Sequence, residues 1–197
     1  MKSDSNKEAL IIFAKNPIKG KVKTRIASII GKDKTLEIYK RLLSIAYDNT
    51  KSIKLDKYVF LTDHTDKNLF DNNYIQKIQN GNDLGEKMSN AFELMFRSGY
   101  NKVCIIGTDC PNLSQKTIKE AYEQLEISDI VIGPAKDGGY YLIAMRSLHE
   151  FLFRDIEWGT DKVLKQAIKK INSRGLLYSL LEEQIDIDTI KDLNKNK

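Results

Sequence analysis

Lys102-Val-Cys-Ile-Ile-Gly-Thr-Asp-Cys-Pro111 is the stretch from which the fold can be read outward. Lys102 to Gly107 is a short, nearly continuous apolar run, as expected of a strand buried on both faces. Thr108 to Pro111 break it, and helical spacing follows from Ser114 to about Leu125. A strand, a loop carrying one carboxylate and then a helix make a unit of a parallel sheet.

The same rhythm runs upstream and downstream. Glu8 to Ala14 is an apolar run stopped by polar residues and Pro17. Between Lys34 and Lys51, Leu36, Tyr39, Leu43, Ala46 and Tyr47 recur at spacings of three and four, which predicts a helix. Strands are expected at Lys57–Thr62 and, more weakly, at Tyr74–Gln79. From Asp83 to Ser98 the signal for a helix is strong. Asp83 with Glu86 makes a capping-box-like start, Leu84, Met88, Ala91, Phe92 and Met95 line one face, and Gly99 follows the end. Beyond the central unit come strands at Asp129–Gly133 and Tyr140–Met145, a helix over Thr160–Ser173 closed by Gly175, and a strand at Leu176–Leu181. The expected architecture is a three-layer α/β/α domain with a mostly parallel, mixed sheet covered on both faces. Residues 1–197 read as one domain, with an ordered core from about 8 to 193, and no repeat or linker interrupts it.

Composition narrows the function classes. With 197 residues, 41% hydrophobic and 30% charged, the chain has the means to build a core. No apolar run is long enough to cross a bilayer, and Met1 to Glu8 lacks the apolar centre of a secretory signal. Cys104 and Cys110 do not make a disulfide framework. A cytoplasmic protein without a membrane partner is the expectation. The net charge of +5 is mild, and no basic–aromatic interleaving suggests nucleic acid, so phosphate on a small molecule is the better-matched partner. The basic tail, Lys191 to Lys197, reads as a frayed, solvated end.

In sheets of this kind ligands sit beyond the carboxyl ends of the strands. Three loops there carry unusual chemistry. Asp109 follows the central strand. It suits a hard cation, Mg²⁺ or Mn²⁺, which takes carboxylate, phosphate and water oxygens, and it equally suits a turn cap. Cys110 has no neighbouring histidine and reads as a packed thiol. The loop from Lys15 to Arg25 carries four lysines and an arginine around Pro17 and Gly20. Lys19 and Lys21 read as solvated, whereas Lys15, Lys23 and Arg25 flank the turn and suit a polyphosphate. With Gly20 as its only glycine, the loop is not a Walker A motif. The third loop, Gly133-Pro-Ala-Lys-Asp-Gly-Gly-Tyr-Tyr141, permits close backbone approach to a ligand, and a tight turn between strands would use the same residues. His64 and His149 read as surface or packing residues.

Taken together, these segments resemble a known family. Phe13-Ala-Lys15-x-Pro17-x-x-Gly20-x-Val22-Lys23-Thr24-Arg25, Gln79-x-Gly81-x-Asp83-Leu84-Gly85, Gly107 to Pro111, Gly133-Pro134-x-x-Asp137 to Tyr141, Trp158-Gly-Thr160 and Asp186-Ile-Asp188-Thr189 look like the DUF2064 group, described as glycosyltransferase-like. The resemblance runs from about Leu10 to Leu193. It extends, more distantly, to phospholactate guanylyltransferases and molybdenum-cofactor nucleotidyltransferases, all of the GT-A (nucleotide-diphospho-sugar transferase) fold. It implies that Ala14, Lys15, Lys23, Arg25 and Thr108 hold a nucleotide, with Gly81, Leu84 and Gly85 by its base and ribose. Asp137, Gly138, Gly139, Tyr140 and Trp158 would face the acceptor. Asp109, with Asp188 or Asp186, would hold the metal, and Asp188 has a plain alternative as an N-cap of the last helix. Asp109, Lys23 and Arg25 become the expected catalytic residues. The sequence departs from the relatives in two places: Lys15-Asn16-Pro17 stands where a glycine-rich opening is usual, and Cys110-Pro111 stands where an Asp-x-Asp pair would continue. The expected activity is metal-dependent transfer from a nucleotide donor to a small acceptor, as nucleotidyl transfer from a nucleoside triphosphate or glycosyl transfer from a nucleotide sugar. A non-catalytic nucleotide-binding or partner-interaction protein is the alternative.

Overall fold

The first apolar run forms strand β1, Glu8–Ala14, and its alternation sets the layering. Leu10, Ile12 and Ala14 join one buried cluster, whereas Ala9 and Ile11 join another on the opposite face of the sheet. The computed structural model describes residues 7–195. Most of the polar amino-terminal segment and the last two residues of the basic tail lie outside the described residues.

Along the chain follow α1 (Thr24–Ile30), α2 (Lys32–Thr50), β2 (Asp56–Leu61), β3 (Tyr74–Ile78), α3 (Leu84–Arg97), β4 (Lys102–Gly107), α4 (Gln115–Gln124), β5 (Ile130–Pro134), β6 (Tyr140–Met145), a 3₁₀ turn (Glu150–Leu152), α5 (Val163–Asn172), β7 (Tyr178–Leu180) and α6 (Ile190–Lys195). The seven strands form one sheet in the order β3-β2-β1-β4-β6-β5-β7. β1 pairs in parallel with β2 and β4, whereas β6 runs antiparallel to both β4 and β5. The sheet is mixed and mostly parallel, and its reversed strand, β6, is the one joined to its predecessor β5 by a turn rather than a helix.

Amphipathic faces close both sides. Tyr39 and Leu43 of α2 with Ile118, Ala121 and Tyr122 of α4 cover one side, and Met88, Ala91, Phe92 and Met95 of α3 with Ile171 of α5 cover the other. The α3 start is as its sequence dictates: Asp83 Oδ1 accepts from the Glu86 amide at 2.8 Å. Phe92 is fully buried, and trimming it to Ala should cost about 3–5 kcal/mol.

Two expectations need correction. The loop after β1 ends at Lys23; Thr24 and Arg25 already belong to α1, whose Ile26 packs with Leu42 and Ile187 in a small third cluster. Gly31, at φ 86°, divides α1 from α2. The basic tail is not frayed along its whole length, because α6 covers Ile190–Lys195. Asp192 Oδ2 accepts from the Thr189 amide and hydroxyl at 2.8 and 2.6 Å, and Leu193 packs against the third cluster. Smaller shifts occur at α5, which begins at Val163 rather than Thr160, and at β7, which is three residues long. Among the described residues no helix is long and apolar enough to cross a membrane.

Candidate active site

The carboxyl ends of β1 and β4 open into a cleft of about 730 Å³. It is walled by the loop after β1, the loop after β4, the β5–β6 turn, the segment before α5 and the segment after β7.

The loop after β1 is pinned from beneath. Asn16 is buried; its Oδ1 accepts from the Asp63 amide at 2.9 Å and its Nδ2 donates to the His64 carbonyl at 2.8 Å. The Tyr39 hydroxyl accepts from the Lys15 amide at 2.8 Å and donates to the Lys15 carbonyl at 3.0 Å. Burial pushes that phenol up to about 12. Side-chain clamps thus fix the path of this loop. Lys19 and Lys21 are exposed, in pairs with Asp33 and Asp63; Lys19 lies off the cleft, whereas Lys21, expected to be merely solvated, lines its rim.

Lys23 behaves differently from its neighbours. It adopts a left-handed backbone, φ 44° and ψ 49°, as the residue that caps α1, a conformation that costs a non-glycine residue about 1–2 kcal/mol. Its Nζ lies 2.8 Å from Asp109 Oδ2 and 2.8 Å from Asp188 Oδ1, with a side chain only 5% exposed. Burial alone would lower its pKa, but the Asp109 and Asp188 carboxylates override it and hold the ammonium above the usual range. Arg25 stays 70% exposed, its guanidinium 3.9 Å from Asp188 Oδ2.

One main-chain bond brings the two aspartates together. The Ile187 amide donates to the Asp109 carbonyl at 2.9 Å, so the chain after β7 lies across the end of β4. Gln184 guides that path through bonds with Pro134 and Lys136, and its Oε1 accepts from Cys110 Sγ at 2.8 Å. Cys110 is buried and its thiol is pushed up to about 12 by that burial, the state of a packed thiol. Asp186 lines the cleft beside them. Its Oδ1 is buried without a hydrogen-bond partner, and burial, helped by the neighbouring aspartates, raises its carboxyl to about 7.

The opposite wall is glycine-dependent. Asp137 Oδ1 accepts from the Gly139 amide at 2.9 Å. Gly138, at φ 88°, leaves no room for a side chain: a Cβ would stand 2.3 Å from the Asp161 carbonyl oxygen. Gly85 opens the space that Trp158 fills, since a Cβ there would meet the indole Nε1 at 2.7 Å. Trp158 meets Tyr140 edge to face, with centroids 6.3 Å apart.

Of the residues expected from sequence, Ala14, Lys15, Lys23, Arg25, Leu84, Thr108, Asp109, Asp137, Gly139, Tyr140, Trp158 and Asp188 all line this one cleft. Gly81, Gly85 and Gly138 do not line it; each is a close-approach position, against Glu86 and Lys87, against Phe153 and Trp158, and against Asp161 respectively. The sequence reading passed over Tyr39, Lys87 and Asp161, which also border the cleft. Tyr39 was hidden in the apolar stripe of α2, and Lys87 and Asp161 sit among ordinary surface charges.

Two carboxylates meet at the Lys23 ammonium. Asp109 and Asp188 aim at a single point, and Asp186 holds an unpartnered oxygen nearby. Among the described residues no group of three or more His, Cys, Asp and Glu side chains is placed to hold a metal ion, so Asp109 and Asp188 are a two-residue donor set. Two carboxylates completed by phosphate and water are the coordination Mg²⁺ commonly takes.

Comparisons with known proteins bear on the family and the fold. No curated protein matches the chain. A protein of Desulfovibrio desulfuricans G20, described provisionally as a nucleotide-diphospho-sugar transferase, superposes with a TM-score of 0.90 at 31% identity, covering 95% of this chain and 84% of that one. The 4-diphosphocytidyl-2C-methyl-D-erythritol synthase of Anaerococcus prevotii DSM 20548 has a TM-score of 0.66 at 13% identity, over 98% and 95% of the two chains. For the inositol-1-phosphate CTP transferase of T. maritima the TM-score is 0.58 at 13% identity, over 98% and 94%. At such identities the last two show a shared fold. The profile of the uncharacterized proteins conserved in bacteria, DUF2064, matches residues 46–160. The chain belongs to the DUF2064 family and has the nucleotide-diphospho-sugar transferase fold.

Proposed function

We propose that the protein is a metal-dependent nucleotidyltransferase acting on a nucleoside triphosphate and a small phosphorylated or hydroxyl acceptor. The observation that carries this reading is the convergence of Asp109 and Asp188 on one cation position, in a cleft whose rim also presents Lys15 and Arg25. Carboxylates for a metal beside cations for phosphate are what a triphosphate donor needs.

Asp109 and Asp188 would hold Mg²⁺ or Mn²⁺, which when bound neutralises charge on the donor phosphates. Lys15 and Arg25 bind the outer phosphates and stabilise the charge that builds on them. Leu84 and Gln79 lie beside the base and ribose. Asp137, Gly139, Tyr140 and Trp158 orient the acceptor so that its oxygen stands in line with the α-phosphorus. A new bond forms from that oxygen, an ionised phosphate oxygen or a hydroxyl whose proton passes to solvent, to the α-phosphorus; the bond from the α-phosphorus to the bridging oxygen breaks, and pyrophosphate leaves with the electron pair.

Glycosyl transfer from a nucleotide sugar is the second reading, favoured by the Tyr140–Trp158 pair, a platform suited to a sugar face. The products separate the two. Nucleotidyl transfer releases pyrophosphate from a triphosphate, and glycosyl transfer releases a nucleoside diphosphate from a nucleotide sugar. Metal-stimulated pyrophosphate release that is lost in Asp109→Ala supports the first reading. Release undiminished in that variant would sink it, and absence of either product with every donor would leave a non-catalytic binding protein.

A further inference from the structure

Lys23 fills the one position to which both carboxylates point. We infer that its ammonium is a resident counter-ion for Asp109 and Asp188 and must leave them before a divalent cation binds there, so that metal and nucleotide bind cooperatively. The inference rests on the metal site proposed above and adds to it an order of exchange.

The geometry requires a choice between the two cations. Each carboxylate offers Lys23 an oxygen at 2.8 Å, and the lysine side chain is largely buried between them at the floor of the cleft. A metal ion and an ammonium a few ångströms apart repel, and that repulsion is weakly screened where the side chain is buried. The backbone of Lys23 is not free to carry the ammonium away, since its carbonyl accepts from the Ile26 and Ala27 amides at 3.0 and 2.9 Å at the head of α1. Exchange is therefore confined to the flexible four-carbon stem of the lysine. A displaced buried ammonium needs a new anion. The phosphates of a nucleotide in the same cleft, beside Lys15 and Arg25, provide one. The nucleotide thereby favours the state that admits the metal, and by linkage the metal favours the nucleotide to the same degree.

The strained backbone fits this role. A left-handed lysine at a helix start is held there by its surroundings, and its side chain is directed to the carboxylates rather than along the outer face of α1. Arg25, exposed and 3.9 Å from Asp188, remains available to phosphate and does not seal the pair.

The test is Mn²⁺ binding to nucleotide-free protein, followed by electron paramagnetic resonance, in the wild type and in Lys23→Met. The wild type should bind weakly, and the variant about tenfold tighter or more, because two carboxylates then face the ion without a competing charge. Lys23→Gln, which keeps a polar side chain at the helix start, should show the same gain if the methionine variant folds poorly. Adding Asp109→Asn to either should abolish it. Unchanged or weaker binding in both variants, or wild-type binding as tight as theirs, overturns the exchange and leaves the metal site standing. No Mn²⁺ binding by any of the proteins overturns the metal site and the exchange with it.

Discussion

The molecule contains the same ionic arrangement twice, at opposite ends of its central strands. At the amino end of β4, Lys102 sits between Glu8 and Glu126, its side chain 8% exposed. At the carboxyl end, Lys23 sits between Asp109 and Asp188. In both, nearby carboxylates outweigh burial and hold the ammonium above its usual pKa. The differences lie in what surrounds them. Glu8 and Lys102 are register partners on adjacent parallel strands, and Glu126 is 65% exposed, so the triad ties a strand end to the turn after α4. The upper triad is gathered from three distant segments, rests on a left-handed residue, opens into the cleft and adjoins Asp186 with its unpartnered oxygen. Identical chemistry thus serves to hold the fold at one end and is available for exchange at the other. The carboxyl ends of a parallel sheet are where loops diverge and leave room for ligands.

The largest expected effect comes from breaking the upper triad. Asp109→Ala should reduce turnover by about a hundredfold to a thousandfold, the range for losing a metal or charge-stabilising group. The matching change below, Glu8→Ala, should leave turnover unaltered. Steady-state kinetics on the two variants under one set of conditions decides it, and equal losses would erase the distinction between the triads.

Backbone strain sharpens the comparison next. Gly138 supports the cleft end at a positive φ with Asp161 pressed against it. Gly138→Ala should cost about 2–3 kcal/mol and reduce acceptor affinity more than nucleotide affinity. Thermal melting and the two KM values would read these effects. A variant of wild-type stability would show that the turn is looser than described.

The smallest effect belongs to the lower triad itself. Lys102→Met should lower stability by about 1–2 kcal/mol, since Glu126 can rehydrate while Glu8 is left partly buried. Its Mn²⁺ affinity should equal that of the wild type. A rise like the one expected for Lys23→Met would mean that the effect is one of overall charge and not of place.

The layered fold was legible because its signals are local. The short apolar runs of β1, β4 and β6 and the spaced apolar faces of α2 and α3 each fall within one segment. Helix α1 was missed because seven residues with Ile26 as the one buried side chain give too little period to read. The mixed direction of the sheet was legible only in outline, since β6 is reversed by the turn at Asp137–Gly139 and pairs with β4 across long sequence separations. At the site, Asp109 could be found from its place after a strand. That Lys23 turns inward could not, because its partner Asp188 is 165 residues away and its orientation depends on a left-handed backbone that lysine does not advertise. Nor could the role of Tyr39, whose ring reads as core while its hydroxyl holds Lys15.

The most direct test of the account is a melting-temperature panel: the four nucleoside triphosphates and common nucleotide sugars, each with and without Mn²⁺ or Mg²⁺. A ligand at about a hundred times its dissociation constant adds roughly 2.7 kcal/mol, a shift of several degrees for a domain of this size. The account predicts such a shift with at least one triphosphate, present with the metal and absent without it. No shift with any nucleotide, with metal or without, would contradict it.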